Sequence, residues 1–166
     1  MIKIANVLVA TDFGDAAASA LAYGREFARA FDARLHVLHV VENPLNWVGP
    51  ESAAVDLVQV QKDLEAMAQD KMDRLVTAED RQQLRAVTII RTGRTPAVEI
   101  ASQAKLAAID VIILGTHGRS GVSHVLMGSV AEKVVRLAPC PVLTVRHPEH
   151  EFIAPDALQT VAQSQR

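Results

Sequence analysis

The chain has 166 residues, 49% of them hydrophobic and 22% charged, with few aromatics and a formal net charge of −2. That length suits one domain with an aliphatic core, as in layered α/β folds, and a near-neutral balance gives no footing for a general nucleic-acid or acidic-membrane surface. No apolar run approaches the ~20 residues of a membrane span, and the N-terminus lacks a basic-then-apolar signal segment. A cytoplasmic location without membrane insertion is expected. The single cysteine, Cys140, precludes an intrachain disulfide and fits a reducing compartment; between Pro139 and Pro141 it reads as a small buried side chain. Charge is uneven along the chain. Residues 85–146 hold eight Lys or Arg against three Asp or Glu, a balance of +5 against −7 for the remainder.

Residues 4–10 read as a first strand and 16–31 as an alanine-rich helix with Ala17, Leu21, Ala28 and Phe31 along one face. Between them runs Thr11-Asp12-Phe13-Gly14-Asp15, where Asp12 falls just past the strand's carboxyl end and Asp15 is expected to cap the helix. Residues 34–41 form a second strand, on which His36 and His39 point to opposite faces and so do not share a metal. Two prolines and a glycine make 43–50 a loop, whose Trp47 is expected to pack on its own domain. Over 52–76, Leu57, Val60, Leu64, Met67, Ala68, Met72 and Leu75 recur at helical spacing, and the methionines are read as core. Residues 84–91 make a third strand, after which Thr95 as N-cap and Pro96 at the first helical position open a helix to about residue 106. The run 110–114, Asp-Val-Ile-Ile-Leu, has the β-branched apolar character of a parallel strand covered on both faces.

At the end of that strand stands Gly115-Thr116-His117-Gly118-Arg119-Ser120-Gly121, with Gly128-Ser129 ten residues after Gly118. Ligands bind at the carboxyl ends of strands in open α/β sheets, and glycine there lets backbone N–H groups approach a phosphate with no Cβ in the way. Ser129 and Glu132 have capping-box spacing, so a helix start is expected to add free N–H donors and a partial positive charge. The spacing matches neither a P-loop nor a dinucleotide-binding fingerprint. His117 reads as a spacer between glycines rather than a catalyst. Residues 141–146 form the last strand, and 147–166 are a polar tail, to which the weak pair His147 and His150 belongs.

Gly, two residues, Gly, nine residues, Gly-Ser resembles the nucleotide-binding motif of the universal stress proteins, and Gly115, Gly118, Gly128 and Ser129 match it at every position. The resemblance extends from Val7-Leu8-Val9-Ala10-Thr11-Asp12 to Ala138-Pro139-Cys140-Pro141-Val142-Leu143-Thr144-Val145, so 1–146 is expected to be the family domain and 147–166 an added tail. It implies an open five-stranded parallel sheet of order 3-2-1-4-5 with helices on both faces, Rossmann-like and of the adenine nucleotide alpha hydrolase-like kind. Alternation of strand and helix independently implies a parallel sheet with right-handed crossovers. In that order the ends of strands one and four are neighbours, which sets Asp12 beside Gly115. The resemblance further implies ATP as ligand, with Asp12 on the nucleoside, Val40 against adenine, and Gly115, Gly118, Arg119, Gly128, Ser129 and Val130 around the phosphates. Magnesium is expected at most as a companion of the nucleotide, without a protein cage. A homodimer through 141–146 and a protein partner of unknown identity are implied too. Two alternatives stay open: a slow ATP hydrolase or nucleotidyl-transfer enzyme, and a partner-binding dimer with a vestigial pocket.

Overall fold

The structure, a computed structural model, describes residues 2–44, 56–116 and 128–146. Within them the strands are β1 (Asn6–Ala10), β2 (Arg34–Glu42), β3 (Val87–Gly93), β4 (Val111–Gly115) and β5 (Val142–Val145). All pair in parallel, in the order β3-β2-β1-β4-β5 implied by the resemblance. The helices are α1 (Asp15–Phe31), α2 (Leu57–Leu75), α3 (Ala78–Gln83), α4 (Pro96–Leu106) and α5 (Ser129–Leu137).

Alternate strand residues go to two separate cores. Val7, Val9, Leu35, Val37, Val111 and Ile113 join Ala20, Leu21 and Ala28 of α1 and Met72 of α2 on one face. Leu8, Leu38, Ile112 and Leu114 join Ala97, Ile100 and Ala104 of α4 and Ala131 and Val134 of α5 on the other. Both faces of β1 and β4 are thus covered, which is why their sequences are nearly unbroken apolar runs instead of alternating ones. At the amino end of the sheet the Asp110 carboxylate accepts the Ala5 and Asn6 N–H groups at 2.7 and 2.9 Å, so this residue ties β1 to β4 instead of opening a strand.

Several boundaries differ from the sequence reading for local reasons. Helix α1 starts with Gly14, not Asp15, as its N-cap, and Asp15 stands in the first turn. Among the described residues α2 begins at Leu57, where Asp56 accepts the Val58 and Gln59 N–H groups at 3.1 Å. Met72 is fully buried, but Met67 is 58% exposed, so the two methionines do not share a core role. Between α2 and β3 lies α3, opened by a reciprocal box of Thr77 and Asp80. Its presence delays β3 to Val87. Cys140 is half-buried, and burial followed by the nearby Asp110 charge pushes its thiol up.

Candidate nucleotide-binding crevice

Three strand ends build the site. Past β1 the Thr11 N–H still bonds the Leu38 carbonyl at 2.9 Å, so the chain leaves the sheet only after Thr11. The Thr11 hydroxyl then accepts the Phe13 N–H at 3.0 Å, and Asp12 Oδ1 accepts the Gly14 N–H at 2.9 Å. These overlapping side-chain turns hold Phe13 at φ 67°. A bulky residue in the left-handed region costs on the order of 1–3 kcal/mol and persists where its surroundings over-determine it. The next residue is the Gly14 cap of α1.

Beyond β4, the Thr116 N–H donates to the Val145 carbonyl at 2.7 Å, and the Thr116 carbonyl accepts the Gly128 N–H at 2.6 Å. Segment 117–127 therefore leaves and returns at two hydrogen-bonded residues. Gly128 is the N-cap of α5 with no side-chain cap, and its carbonyl accepts the Glu132 N–H at 3.0 Å. Ser129 is the first helical residue, so the expected Ser129–Glu132 capping box does not form; Glu132 instead accepts from Arg136 at 2.8 Å. With Gly128 committed to Thr116, the amides of Ser129, Val130 and Ala131 have no acceptor within the helix. They carry the positive end of its dipole.

Gly115 has a packing reason for being glycine besides the one read from sequence. A Cβ there would stand 2.8 Å from both the carbonyl carbon and the Cβ of Ala16, because the end of β4 lies against the first turn of α1. This close packing brings the ends of β1 and β4 together at the switch point of the sheet.

A crevice of about 640 Å³ opens there, within the usual range for small-molecule sites. Asp12, Val40, Gly115, Gly128, Ser129 and Val130 all line it, so six expected site residues converge from three elements, β2, β4 and α5, and from the positions just after β1 and just before α5. Gly118 and Arg119 lie outside the described residues, as do His117, His147, His150 and Trp47. Val40 is half-buried and packs with the α4–α5 core. Pro96 and Ile100 of α4 and Leu114 complete an apolar wall on that side.

The sequence reading missed a second wall made by Phe13, His39, Leu64, Met67 and Lys71. The buried His39 ring meets the Thr11 carbonyl through Nδ1 at 2.8 Å, which requires the Nδ1–H tautomer, since a carbonyl only accepts. The same ring lies 4.4 Å from the Phe13 ring, centroid to centroid, and the Lys71 ammonium stands 5.3 Å over Phe13. Leu64, Met67 and Ala68 recur at helical spacing on one side of α2, a signal legible in sequence but read as core, and Lys71, at the same spacing, was not singled out. Among the described residues no cluster of three or more His, Cys, Asp or Glu could hold a metal ion. No helix among them is long and apolar enough to cross a membrane.

The family model for the universal stress protein family matches residues 3–146. Universal stress protein YxiE of Bacillus subtilis is 33% identical over 149 residues, covering 85% of this chain and 98% of that protein. Among solved structures, universal stress protein UspA from Lactobacillus plantarum has a TM-score of 0.75 and 29% identity, covering 88% of this chain and all of that one. The universal stress protein from Archaeoglobus fulgidus in complex with dAMP shares the fold at TM-score 0.60 and 20% identity, with 87% of this chain and 99% of that one covered.

Proposed function

We propose that this chain, which belongs to the universal stress protein family, binds ATP in the crevice at the carboxyl ends of β1, β2 and β4 and acts as a nucleotide-responsive regulatory homodimer. One observation carries the reading. The uncapped start of α5 presents the Ser129, Val130 and Ala131 amides to a crevice whose other lining includes the Asp12 carboxylate. Helix amides and dipole favour an anion, whereas a carboxylate repels one and accepts from hydroxyls or an amino group. A ligand anionic at one end and rich in hydroxyl or amino donors at the other fits both, and a nucleotide is such a ligand.

In this reading the phosphates lie against Gly115, Gly128, Ser129 and Val130, and Gly118 and Arg119, outside the described residues, are assigned to them by the resemblance alone. Asp12 takes the ribose hydroxyls, and adenine lies against Val40. Magnesium accompanies the phosphates without a protein cage. The dAMP of the Archaeoglobus fulgidus structure is a property of that protein; the crevice chemistry supports a nucleotide, and ATP among nucleotides is assigned here on the resemblance of the glycine spacing to the family's motif alone. Among the described residues strand β5 is an edge of the sheet, and 141–146 is the surface through which we place the homodimer. The family module is 1–146, the tail 147–166 lies outside it, and the dimer works in the cytoplasm on a protein partner.

Calorimetry on nucleotide-free protein tests the assignment, with ATP, ADP, AMP and GTP plus magnesium. Micromolar ATP affinity, about −8 kcal/mol, is expected, with saturable binding lost in Gly118→Val and weakened about 10- to 100-fold in Asp12→Ala, as for a charge-assisted hydrogen bond. No saturable binding of any of the four nucleotides to the wild type would overturn the reading.

A further inference from the structure

Asp12 is the most exacting residue of the proposed nucleoside contact, because a carboxylate rewards hydroxyl donors only when its oxygens are aimed. Yet it sits in a turn outside any regular element, between β1 and α1. What aims it is visible in the residues around it. Phe13 follows Asp12 directly and holds a left-handed backbone, φ 67°, that reverses the chain immediately after the carboxylate. Its ring contacts two groups from other elements: His39 of β2 at 4.4 Å on centroids, and Lys71 of α2 with its ammonium 5.3 Å from the ring centre. His39 in turn grips the turn itself, donating Nδ1–H to the Thr11 carbonyl at 2.8 Å. Asp12 is therefore flanked on its amino side by a residue held from β2 and on its carboxyl side by a ring held from β2 and α2.

We infer that Phe13 is a positioning residue: the His39–Phe13–Lys71 stack locks the Thr11–Gly14 turn so that the Asp12 carboxylate faces the ribose hydroxyls of the ligand. The inference rests on the ATP reading above and adds to it the source of selectivity for a ribose bearing free 2′- and 3′-hydroxyls. Phe13 itself need not touch the sugar. Its ring braces from outside a turn that is otherwise held only by its own Thr11 and Asp12 side-chain bonds, and without the ring those two bonds alone set the aim of the carboxylate. The aromatic ring suits the task, since it takes a tilted contact from an imidazole and a cation over its face. Lys71 brings α2, the helix over β2 and β3, into the same lock.

The test compares ATP with 2′,3′-dideoxy-ATP, which keeps the base and phosphates and lacks both hydroxyls. Phe13→Gly removes the ring while retaining a residue that accepts a positive φ, and His39→Ala releases the turn from the other side. Phe13→Tyr keeps ring and stack. Binding of both nucleotides is measured by calorimetry on the full chain, with a thermal melt for each variant. The wild type is expected to favour ATP over the dideoxy analogue by about ten-fold or more, the weight of a charge-assisted hydrogen bond. Phe13→Gly and His39→Ala should bring that ratio to within about two-fold by weakening ATP alone, and Phe13→Tyr should retain it. A merely structural role would weaken both nucleotides together. Equal weakening of both, or an unaltered ratio in whichever of the two variants folds, overturns the inference while leaving ATP binding intact. A wild type that binds neither nucleotide removes the ATP reading and this inference with it.

Discussion

Replacing Gly115 by alanine separates a packing requirement from a ligand requirement at the first glycine of the motif. The new Cβ would stand 2.8 Å from the carbonyl carbon and the Cβ of Ala16, and 3.0 Å from its oxygen. Carbon contacts are comfortable at about 3.5–4.0 Å, and the obstacle is the backbone of α1, which cannot swing aside as a side-chain tip does. Two effects oppose each other. Removing a glycine where φ is not positive lowers the entropy of the unfolded chain and stabilises by about 0.4–1 kcal/mol. Overpacking costs about 1–3 kcal/mol. The clash wins by about 1–2 kcal/mol, a fall in Tm of roughly 2–8 °C for a domain of this size class. Scanning calorimetry without nucleotide reads it directly. Adding Ala16→Gly removes the Cβ but leaves the carbonyl carbon and oxygen, so the double variant should regain only part of the loss. A Tm for Gly115→Ala that is unchanged or raised would refute the packing account.

Two further predictions concern buried titratable groups far from the crevice. Asp80, 4% exposed, takes the Arg25 fork at 2.9 and 2.7 Å and the Thr77 N–H at 3.0 Å; Asp80→Asn should cost about 3 kcal/mol, the lower end for a broken buried pair because Arg25 keeps some contact with water. Burial alone would push the Asp80 carboxyl up, but the hydrogen bonds from Arg25 and Thr77 hold it below the ordinary range. Its contribution is therefore present above ~3.9 and lost as pH falls through the lower folded value, so the gap between wild type and Asp80→Asn in urea melts should close in acid; a gap independent of pH down to about 2 counts against the pair. His36 is shifted down by burial and then by Arg34, with Nδ1 buried and without a partner among the described residues. Its unfolded form takes up the proton first, so it subtracts stability progressively as pH drops below ~6.5. His36→Leu should match the wild type within about 1 kcal/mol at pH 8 and gain on it from pH 6.5 to 5; parallel stability curves would sink this account.

What the sequence shows plainly is whatever burial writes into it. Strands β1 and β4 announce themselves because both faces are covered, leaving runs such as Val7-Leu8-Val9 and Ile112-Ile113-Leu114 without polar interruption. That six candidate residues line one crevice was likewise legible, since spacing on the chain places them at the ends of neighbouring strands or the helix start beside them once the order is known. Helix α3 was not. At six residues it has no room for a periodic stripe, and its one signal was Thr77-Ala-Glu-Asp80, a capping box written with Asp in place of the commoner Glu or Gln. The α2 wall was hidden for another reason. Leu64, Met67 and Lys71 obey helical periodicity whether they face a core or an open crevice, and periodicity cannot tell these apart. His39 and Phe13 come together only through pairing of β1 with β2, and the left-handed backbone of Phe13 leaves no trace in residue type.

The glycines of the motif do not carry equal weight, and this alters the balance between a working and a vestigial pocket. Gly115 is demanded by Ala16 whether or not a ligand binds. A chain that had lost its nucleotide would keep that glycine to keep α1 against β4. Its presence therefore says little about binding. The start of α5 is another matter, because Gly128 caps the helix through backbone alone and Ser129 makes no capping bond, leaving three amides that no protein side chain of a capping box relieves. Stability by itself would favour a side-chain acceptor over glycine there by only a few tenths of a kcal/mol. Among the described residues the start of α5 has no side-chain cap, and it lines the same crevice as the Asp12 carboxylate, which leaves room for a ligand's anion. The case for a functional pocket accordingly rests on Gly128, Ser129 and Asp12, and Gly115 belongs to the architecture that brings them within reach of one ligand.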